Sequence, residues 1–98
     1  MSAIRPAAVL RRPSDVRYRR IEGEAVVLRQ STAEVLVLNE VGAAVLDLAD
    51  GRRSVEEWIE ALADRFETDR ETLARDVLEF AAELAAAGLL EPAPGDET

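Results

Sequence analysis

The chain has 98 residues, a net charge of −8 and 48% apolar residues, so one small domain with a modest core is expected. It contains neither cysteine nor histidine, which excludes disulfides, Cys- or His-based metal sites, thiol nucleophiles and the commonest general base. We therefore expect no enzyme activity, no catalytic residue, no metal site and no cofactor.

The charges are unevenly distributed along the sequence. Residues 1–31 hold seven arginines and three acids, whereas residues 32–98 hold five arginines and seventeen acids. Because phosphate binding needs clustered cations, the acidic part argues against nucleic acid as a ligand and fits a basic or amphipathic peptide better. No segment has the pattern of a signal peptide or a membrane span, so a cytoplasmic protein that binds no membrane is expected.

The N-terminal part of the chain is predicted to form an arm and a small sheet. Residues 1–14 contain two prolines and little periodicity, which predicts a flexible arm. Alternating or apolar β-prone runs then predict three short strands, at 16–21, 25–28 and 35–38. Their short connections indicate an antiparallel meander.

Helix signals begin directly after the third predicted strand. Asn39 is a typical N-cap for a helix over about 40–49, and Gly51 is a typical residue at a helix C-terminus. Ser54 and Glu57 form a capping-box pattern, in which each side chain accepts a hydrogen bond from the other residue's backbone N–H, and predict the start of a second helix.

A third helix is predicted from a second capping-box pattern, Thr68-x-x-Glu71, to Gly88. Apolar residues at helical spacing predict the buried stripes of the second and third helices, which are Val55, Trp58, Ile59, Leu62 and Phe66, and Leu73, Val77, Phe80 and Leu84. The segment 92–98 reads as a disordered tail. The whole pattern predicts an α+β domain of winged helix-turn-helix type over 15–91, with a three-stranded antiparallel sheet followed by three helices.

The third predicted strand is a candidate binding element. Residues 35–38 are apolar at every position and include neither proline nor lysine, although an edge strand of this kind is normally blocked. An extended peptide could dock there as a further strand. Alternatively, the third helix covers the strand, or the strand pairs with a second copy of the chain.

The third predicted helix also has a charged face with two interpretations. Arg75, Asp76, Glu79 and Glu83 lie outside its central apolar stripe. The simpler interpretation is a solvated surface in which Arg75 and Glu79 form an i, i+4 pair. The functional interpretation is an acidic rim that pairs with basic residues of a bound peptide.

The order of these signals resembles the PqqD family of leader-peptide-binding domains, also called RiPP recognition elements. The resemblance covers about 15–91 and rests on the series Leu38-Asn39-x-x-Gly42-Ala43, Asp50-Gly51, Ser54-Val55-x-Glu57, Asp76-Val77-x-x-Phe80 and Gly88-Leu89-Leu90. Family members bind the leader segment of a ribosomally made precursor peptide between the third strand and the third helix. They present the peptide to a radical SAM enzyme, or to a protease or cyclase in lasso-peptide systems.

The resemblance also implies a set of peptide-binding residues. By position these are Glu34, Val35, Leu36, Val37 and Leu38 on the strand, and Arg75, Asp76, Glu79, Phe80 and Glu83 on the helix. Two other readings stay open: a winged-helix DNA-binding protein, and a structural subunit of an enzyme complex without peptide binding. The chain is expected to be a monomer, or a homodimer through the same strand.

Overall fold

The computed structural model of the chain describes residues 4–94. The strands are β1 (Val9–Arg11), β2 (Val16–Ile21), β3 (Glu24–Arg29), β4 (Glu34–Leu38), β5 (Asp50–Ser54) and β6 (Glu91–Pro92). The helices are α1 (Glu40–Leu48), α2 (Val55–Arg65) and α3 (Arg70–Ala86). The predicted α+β class, with a three-stranded antiparallel sheet followed by three helices, is confirmed.

The predicted meander is the sheet β2-β3-β4. Ile21 pairs with Glu24, which leaves Glu22 and Gly23 as a two-residue loop, and both have positive φ, of 49° and 90°. This is the conformation of a type I′ turn, whose twist matches that of the strands it joins. Arg29 pairs with Glu34 across the next connection, so the third predicted strand, β4, lies at the edge of the sheet.

A second three-stranded sheet, in the order β5-β1-β6, was not predicted. Its central strand lies inside the segment predicted as a flexible arm, and that prediction is wrong for Val9–Arg11, where Leu10 is buried. The predicted tail is also ordered at its start, because Pro92 pairs with Leu10 and the buried Ala93 donates a backbone hydrogen bond to Val9 at 2.9 Å. Strands this short carry no readable alternation. The rest of the predicted tail, 95–98, lies outside the described residues.

The helix starts follow the predicted capping chemistry in two cases out of three. Asn39 accepts a hydrogen bond from the Gly42 backbone N–H at 3.0 Å, and Ser54 and Glu57 form the complete capping box of α2. The predicted capping box of α3 is wrong. Its N-cap is Asp69, one residue after Thr68, and the Asp69 carboxylate accepts a hydrogen bond from the backbone N–H of Thr72. Asp is a better N-cap residue than Thr.

The core lies between the β2-β3-β4 sheet and the helices. The predicted stripes of α2 and α3 are buried except for two half-exposed phenylalanines, Phe66 and Phe80. Trp58 is fully buried, as expected of a core residue. α1 is buried continuously over 42–46, because it contacts β3 as well as both other helices.

A polar cluster fixes the C-terminal end of α1 to the sheet. The Arg12 guanidinium donates to the carbonyls of Leu46 and Ala49, where a cation is favoured by the helix dipole. The hydroxyl of Tyr18 donates to Asp47 at 2.5 Å, and burial together with this hydrogen bond raises the pKa of Tyr18 to about 12. The C-terminal end of α1 is therefore held by Arg12 and by Tyr18 of β2, while its first turn is free to form the wall of a groove.

Over residues 4–94, no helix has the length and apolar character needed to cross a membrane.

Candidate functional site

The outer side of β4 is an unpaired strand edge. No strand of the described chain pairs with β4 on the side away from β3. Every second residue of an antiparallel edge directs its N–H and C=O outward, so a five-residue strand offers about four to six hydrogen-bonding groups. The edge is therefore long enough to hold a short extended peptide.

The side chains of β4 alternate between the two faces of the sheet. Leu38 is buried and Leu36 packs against the core, whereas Val35 and Val37 point to the other face and are 65% and 63% exposed. These are the two most exposed large apolar side chains in residues 4–94. The strand is thus apolar on its core face and on its solvent face, as the sequence predicted.

The two edges of the same sheet differ in their protection. The opposite edge strand, β2, carries Arg17, Arg19 and Arg20, and charged side chains on an edge oppose pairing with another chain. β4 carries only one charged residue, Glu34, at its first position. A guest strand would therefore add to β4 in preference to β2.

A groove lies beside the C-terminal end of β4, between the first turn of α1 and one face of α3. It consists of two hollows, of about 360 and 280 Å³, which share Val41 and Asp76. The first hollow is lined by Asn39, Val41, Asp76, Glu79, Phe80 and Glu83. The second is lined by Val41, Phe66, Glu67, Thr68, Leu73 and Asp76.

Helix geometry brings the α3 lining residues together. Asp76, Glu79, Phe80 and Glu83 stand at positions i, i+3, i+4 and i+7, which form one face of a helix. This face lies next to the stripe that α3 buries in the core. Four of the five helix residues implied by the family resemblance therefore line one hollow.

Arg75 is the fifth of these residues, and it lies outside the lining. It is exposed and contributes to neither hollow. The possible i, i+4 ion pair between Arg75 and Glu79 does not form.

The floor of the groove depends on the glycine at position 42. A Cβ atom built on Gly42 would lie 2.4 Å from Cε2 of Phe80 and 3.0 Å from Cβ of Leu38. The absent side chain therefore lets the Phe80 ring rest on the backbone of α1, next to the end of β4. Sequence reasoning missed this contact, although a glycine in a helix, where it costs about 1 kcal/mol, is itself a signal of close packing.

All the charged side chains that line the groove are negative. Glu67, Asp76, Glu79 and Glu83 line it, and no arginine does. Within residues 4–94, none of these four carboxylates has an ion pair or a side-chain hydrogen bond. Because a concave surface of one sign concentrates the opposite charge, the groove favours a cationic guest.

The arrangement offers groups suited to recognition. Between residues 4 and 94, no three Asp or Glu side chains are grouped so that they could hold a metal ion. What the site provides is a free strand edge, a half-exposed aromatic ring and a row of carboxylates.

Comparisons with known proteins give a matching family, relatives and related structures. Residues 24–90 match the family model described as coenzyme PQQ synthesis protein D (PqqD). The chain is 41% identical over 59 residues to a PqqA binding protein of Rhodopseudomonas palustris (strain TIE-1), a match that covers 60% of this chain and 58% of that protein. The matched region spans about three fifths of the length of the curated relatives.

Two solved structures have the same fold. One is TbiB1 in complex with the TbiA(beta) leader peptide, with a TM-score of 0.75 and 30% identity, covering 83% of this chain and 94% of that chain. The other is the solution structure of the PqqD truncation of Methylobacterium extorquens PqqCD, described as a functional, stand-alone RiPP recognition element. It has a TM-score of 0.75 and 31% identity, covering 91% of this chain and 95% of that chain.

Proposed function

This chain belongs to the PqqD family, and we propose that it binds the leader segment of a ribosomally synthesised precursor peptide by strand addition to β4. The single observation that carries the proposal is the unprotected apolar edge of β4 beside a groove walled by α3. Two related structures support it, since one is a complex with a leader peptide and the other is described as a RiPP recognition element.

The proposed site combines both elements. Glu34, Val35, Leu36, Val37 and Leu38 supply the backbone edge, and Asp76, Glu79, Phe80 and Glu83 form the opposite wall. Each backbone hydrogen bond contributes on the order of 1 kcal/mol net, and apolar burial adds roughly 25 cal/mol per Å². Ordering a disordered leader offsets part of this gain, so we expect micromolar affinity, about −8 kcal/mol.

The chain holds the leader while another protein does the chemistry. We expect no catalytic activity from the isolated chain, and the bound precursor is modified by a cytoplasmic radical SAM enzyme, cyclase or protease. Tethering raises the effective concentration of the core peptide at that enzyme. The chain matches only part of the length of its relatives. Any activity of their unmatched part is not included in this proposal.

The winged helix-turn-helix type, which the sequence pattern predicts, suggests DNA binding as the alternative. The charge of α3 opposes it, because the groove-facing positions Asp76, Glu79 and Glu83 are all acidic. A gel shift at low salt with double-stranded DNA is expected to show no retardation.

The proposal is tested by NMR titration of the full chain with the leader peptide of a short precursor gene, to be sought in the neighbourhood of the gene for this chain. The backbone amide signals of Glu34–Leu38 and of Asp76–Glu83 should shift in a saturable manner. Shifts confined to α2, or no saturation at millimolar peptide, would show that the groove is not the binding site.

A proline scan of the leader provides the matched control within one experiment. In an antiparallel pair only alternate residues donate to the edge, so proline should weaken binding strongly at every second position and weakly at the positions between. A uniform effect of proline would contradict strand addition even if the peptide binds.

A further inference from the structure

We propose that the guest strand is recognised on both of its faces, with apolar side chains over Val35 and Val37 and basic side chains toward the acidic groove. This inference rests on the proposed function and adds the chemistry of the segment that binds. It predicts a segment in which apolar and basic residues alternate with a period of two.

The first observation is an apolar surface that ends at the open edge. On the solvent face of the sheet, Val26 lies opposite Val37 and Leu28 lies opposite Val35. Exposure increases toward the edge, because Leu28 is 38% exposed while the two valines of β4 exceed 60%. The apolar rows therefore stop where the next strand would add.

A guest strand would continue these rows. Side chains that face each other across an antiparallel pair have Cβ atoms about 4.5–5.5 Å apart, so outward-facing guest residues would cover Val35 and Val37 directly. β-branched or aromatic residues pack best in such cross-strand pairs. The outward-facing guest positions should therefore be apolar.

The second observation concerns the opposite face of the guest. Its alternate side chains would point toward the groove, where Asp76, Glu79 and Glu83 extend along α3 beside the Phe80 ring. Seven helical residues rise about 10 Å, and same-side strand residues are about 6.8 Å apart, so two guest side chains fit along this row. Arginine or lysine suits these positions, because its stem can pack on the ring while its charge meets a carboxylate.

A second copy of this chain satisfies only half of these requirements. The valines of its own β4 would match the outer face. Its inward-facing residues, however, are Glu34, Leu36 and Leu38, which bring no cation to the acidic groove. The charge of the groove therefore favours a separate basic peptide.

The test is a selection of random twelve-residue peptides, displayed on phage, against the immobilised full chain. Selected sequences should alternate between Arg or Lys at one parity and Val, Ile, Leu or an aromatic residue at the other. Synthetic copies of the selected peptides should shift the amide signals of Glu34–Leu38. Selection against the Glu79→Lys, Glu83→Lys variant should replace the basic residues by acidic ones and keep the apolar parity.

Affinity measurements on the selected peptides then separate the two faces. Val35→Thr with Val37→Thr should weaken binding about twofold or more, since each cross-strand pair is worth about 1.4-fold to fivefold. The matched control is Val26→Thr, which lies on the same face but one strand away from the guest and should change affinity less than twofold.

A second pair of variants tests the charge. Glu79→Gln with Glu83→Gln should weaken binding and flatten its dependence on salt, because fewer opposite charges then meet across the groove. The control is Asp64→Asn with Glu71→Gln, which removes the same charge from two acids outside the groove lining and should leave affinity unchanged.

The outcomes distinguish this inference from the function on which it rests. Peptides that shift β4 but show no alternation, or that bind the Val35, Val37 and Glu79, Glu83 variants as tightly as the original chain, overturn the two-faced recognition alone. Selected peptides that leave β4 unshifted, or a selection that enriches no peptide, overturn strand addition and the inference with it.

Discussion

Substitution of Gly42 by alanine should close part of the groove without unfolding the chain. The new Cβ would stand 2.4 and 2.5 Å from two ring atoms of Phe80. Carbon atoms in ordinary contact are about 3.5–4.0 Å apart, so the ring must recede by about 1 Å or more. Because Phe80 lines the groove, the ring would move into the space that the guest peptide is proposed to fill.

The expected change in stability is the balance of two opposing effects. Overpacking costs about 1–3 kcal/mol, whereas replacing glycine by alanine in a helix contributes about 1 kcal/mol. We therefore expect the free energy of unfolding, measured by urea denaturation, to fall by about 0–2 kcal/mol. We expect the complex with the leader to lose apolar burial equal to about half of one phenylalanine side chain. This loss is worth about 1–1.5 kcal/mol and corresponds to leader affinity reduced about fivefold to tenfold.

The Phe80→Leu background supplies the control, because leucine lacks the two ring atoms that collide with the new Cβ. In that background the destabilising effect of Gly42→Ala should disappear or reverse. The free energy of unfolding should stay unchanged or rise by up to about 1 kcal/mol. If Gly42→Ala alone stabilises the chain by about 1 kcal/mol and binds the leader unchanged, the Phe80 ring does not depend on this glycine and the reasoning is refuted.

Three further predictions concern parts of the fold that hold the site in place. Gly88→Ala should lower the free energy of unfolding by about 1–2 kcal/mol in urea denaturation, since φ is +81°, where a residue with a Cβ is strained, while the flexible Arg29 guanidinium, 2.4 Å from the new Cβ, can turn away; a loss below about 0.5 kcal/mol would contradict this. The pKa of Tyr18 is raised from 10 to about 12, first by burial, so its contribution to stability is complete below pH 10 and is lost as the pH rises to 12. Tyr18→Phe should flatten the pH dependence of the melting temperature in that window, and an unchanged profile would argue against the raised pKa. Asp69→Ala should cost about 1 kcal/mol in the same urea assay and Thr68→Ala much less, whereas the reverse order would restore Thr68 as the N-cap of α3.

The parts of the fold that sequence could predict are those encoded by local chemistry. The turn at Gly23 needs positive φ, and Asn39 and Ser54 hold their caps with side chains a few residues from the groups they satisfy. The edge position of β4 followed from the short connections of a meander. Each of these signals lies within about ten residues of what it determines.

The missed parts of the fold depend on residues distant in sequence. β1 is defined by partners at β5 and β6, and the pairing of Leu10 with Pro92 joins two segments that were each predicted to be without structure. The N-cap of α3 was misplaced for a different reason: the capping-box pattern of Thr68 and Glu71 favoured Thr68, whereas Asp69 is the better single N-cap residue.

The candidate site was predicted only in part, because some of its contacts also join residues distant in sequence. Periodicity placed Asp76, Glu79, Phe80 and Glu83 near one another on α3, and the resemblance assigned them a role. Neither the periodicity nor the resemblance could show that the Phe80 ring packs on Gly42 of a different helix, or that Val41 and Glu67 complete the groove. Such contacts depend on how α1 crosses α3, which no pattern within one helix records.

The uneven charge of the chain has a structural consequence at the groove. Arginines of the N-terminal part reach acids or helix carbonyls elsewhere, as when Arg20 pairs with Asp47 and Arg12 meets the end of α1. Arg70, at the start of α3, is held by Glu56 and Glu60. These three arginines are thus engaged, and Arg75 of α3 lies outside the groove lining, while the carboxylates facing the groove have no cationic partner within 4–94. Negative charge is left unbalanced beside β4, the edge of the β2-β3-β4 sheet that carries no arginine, so the surface that can accept a strand is also the surface that attracts a basic one.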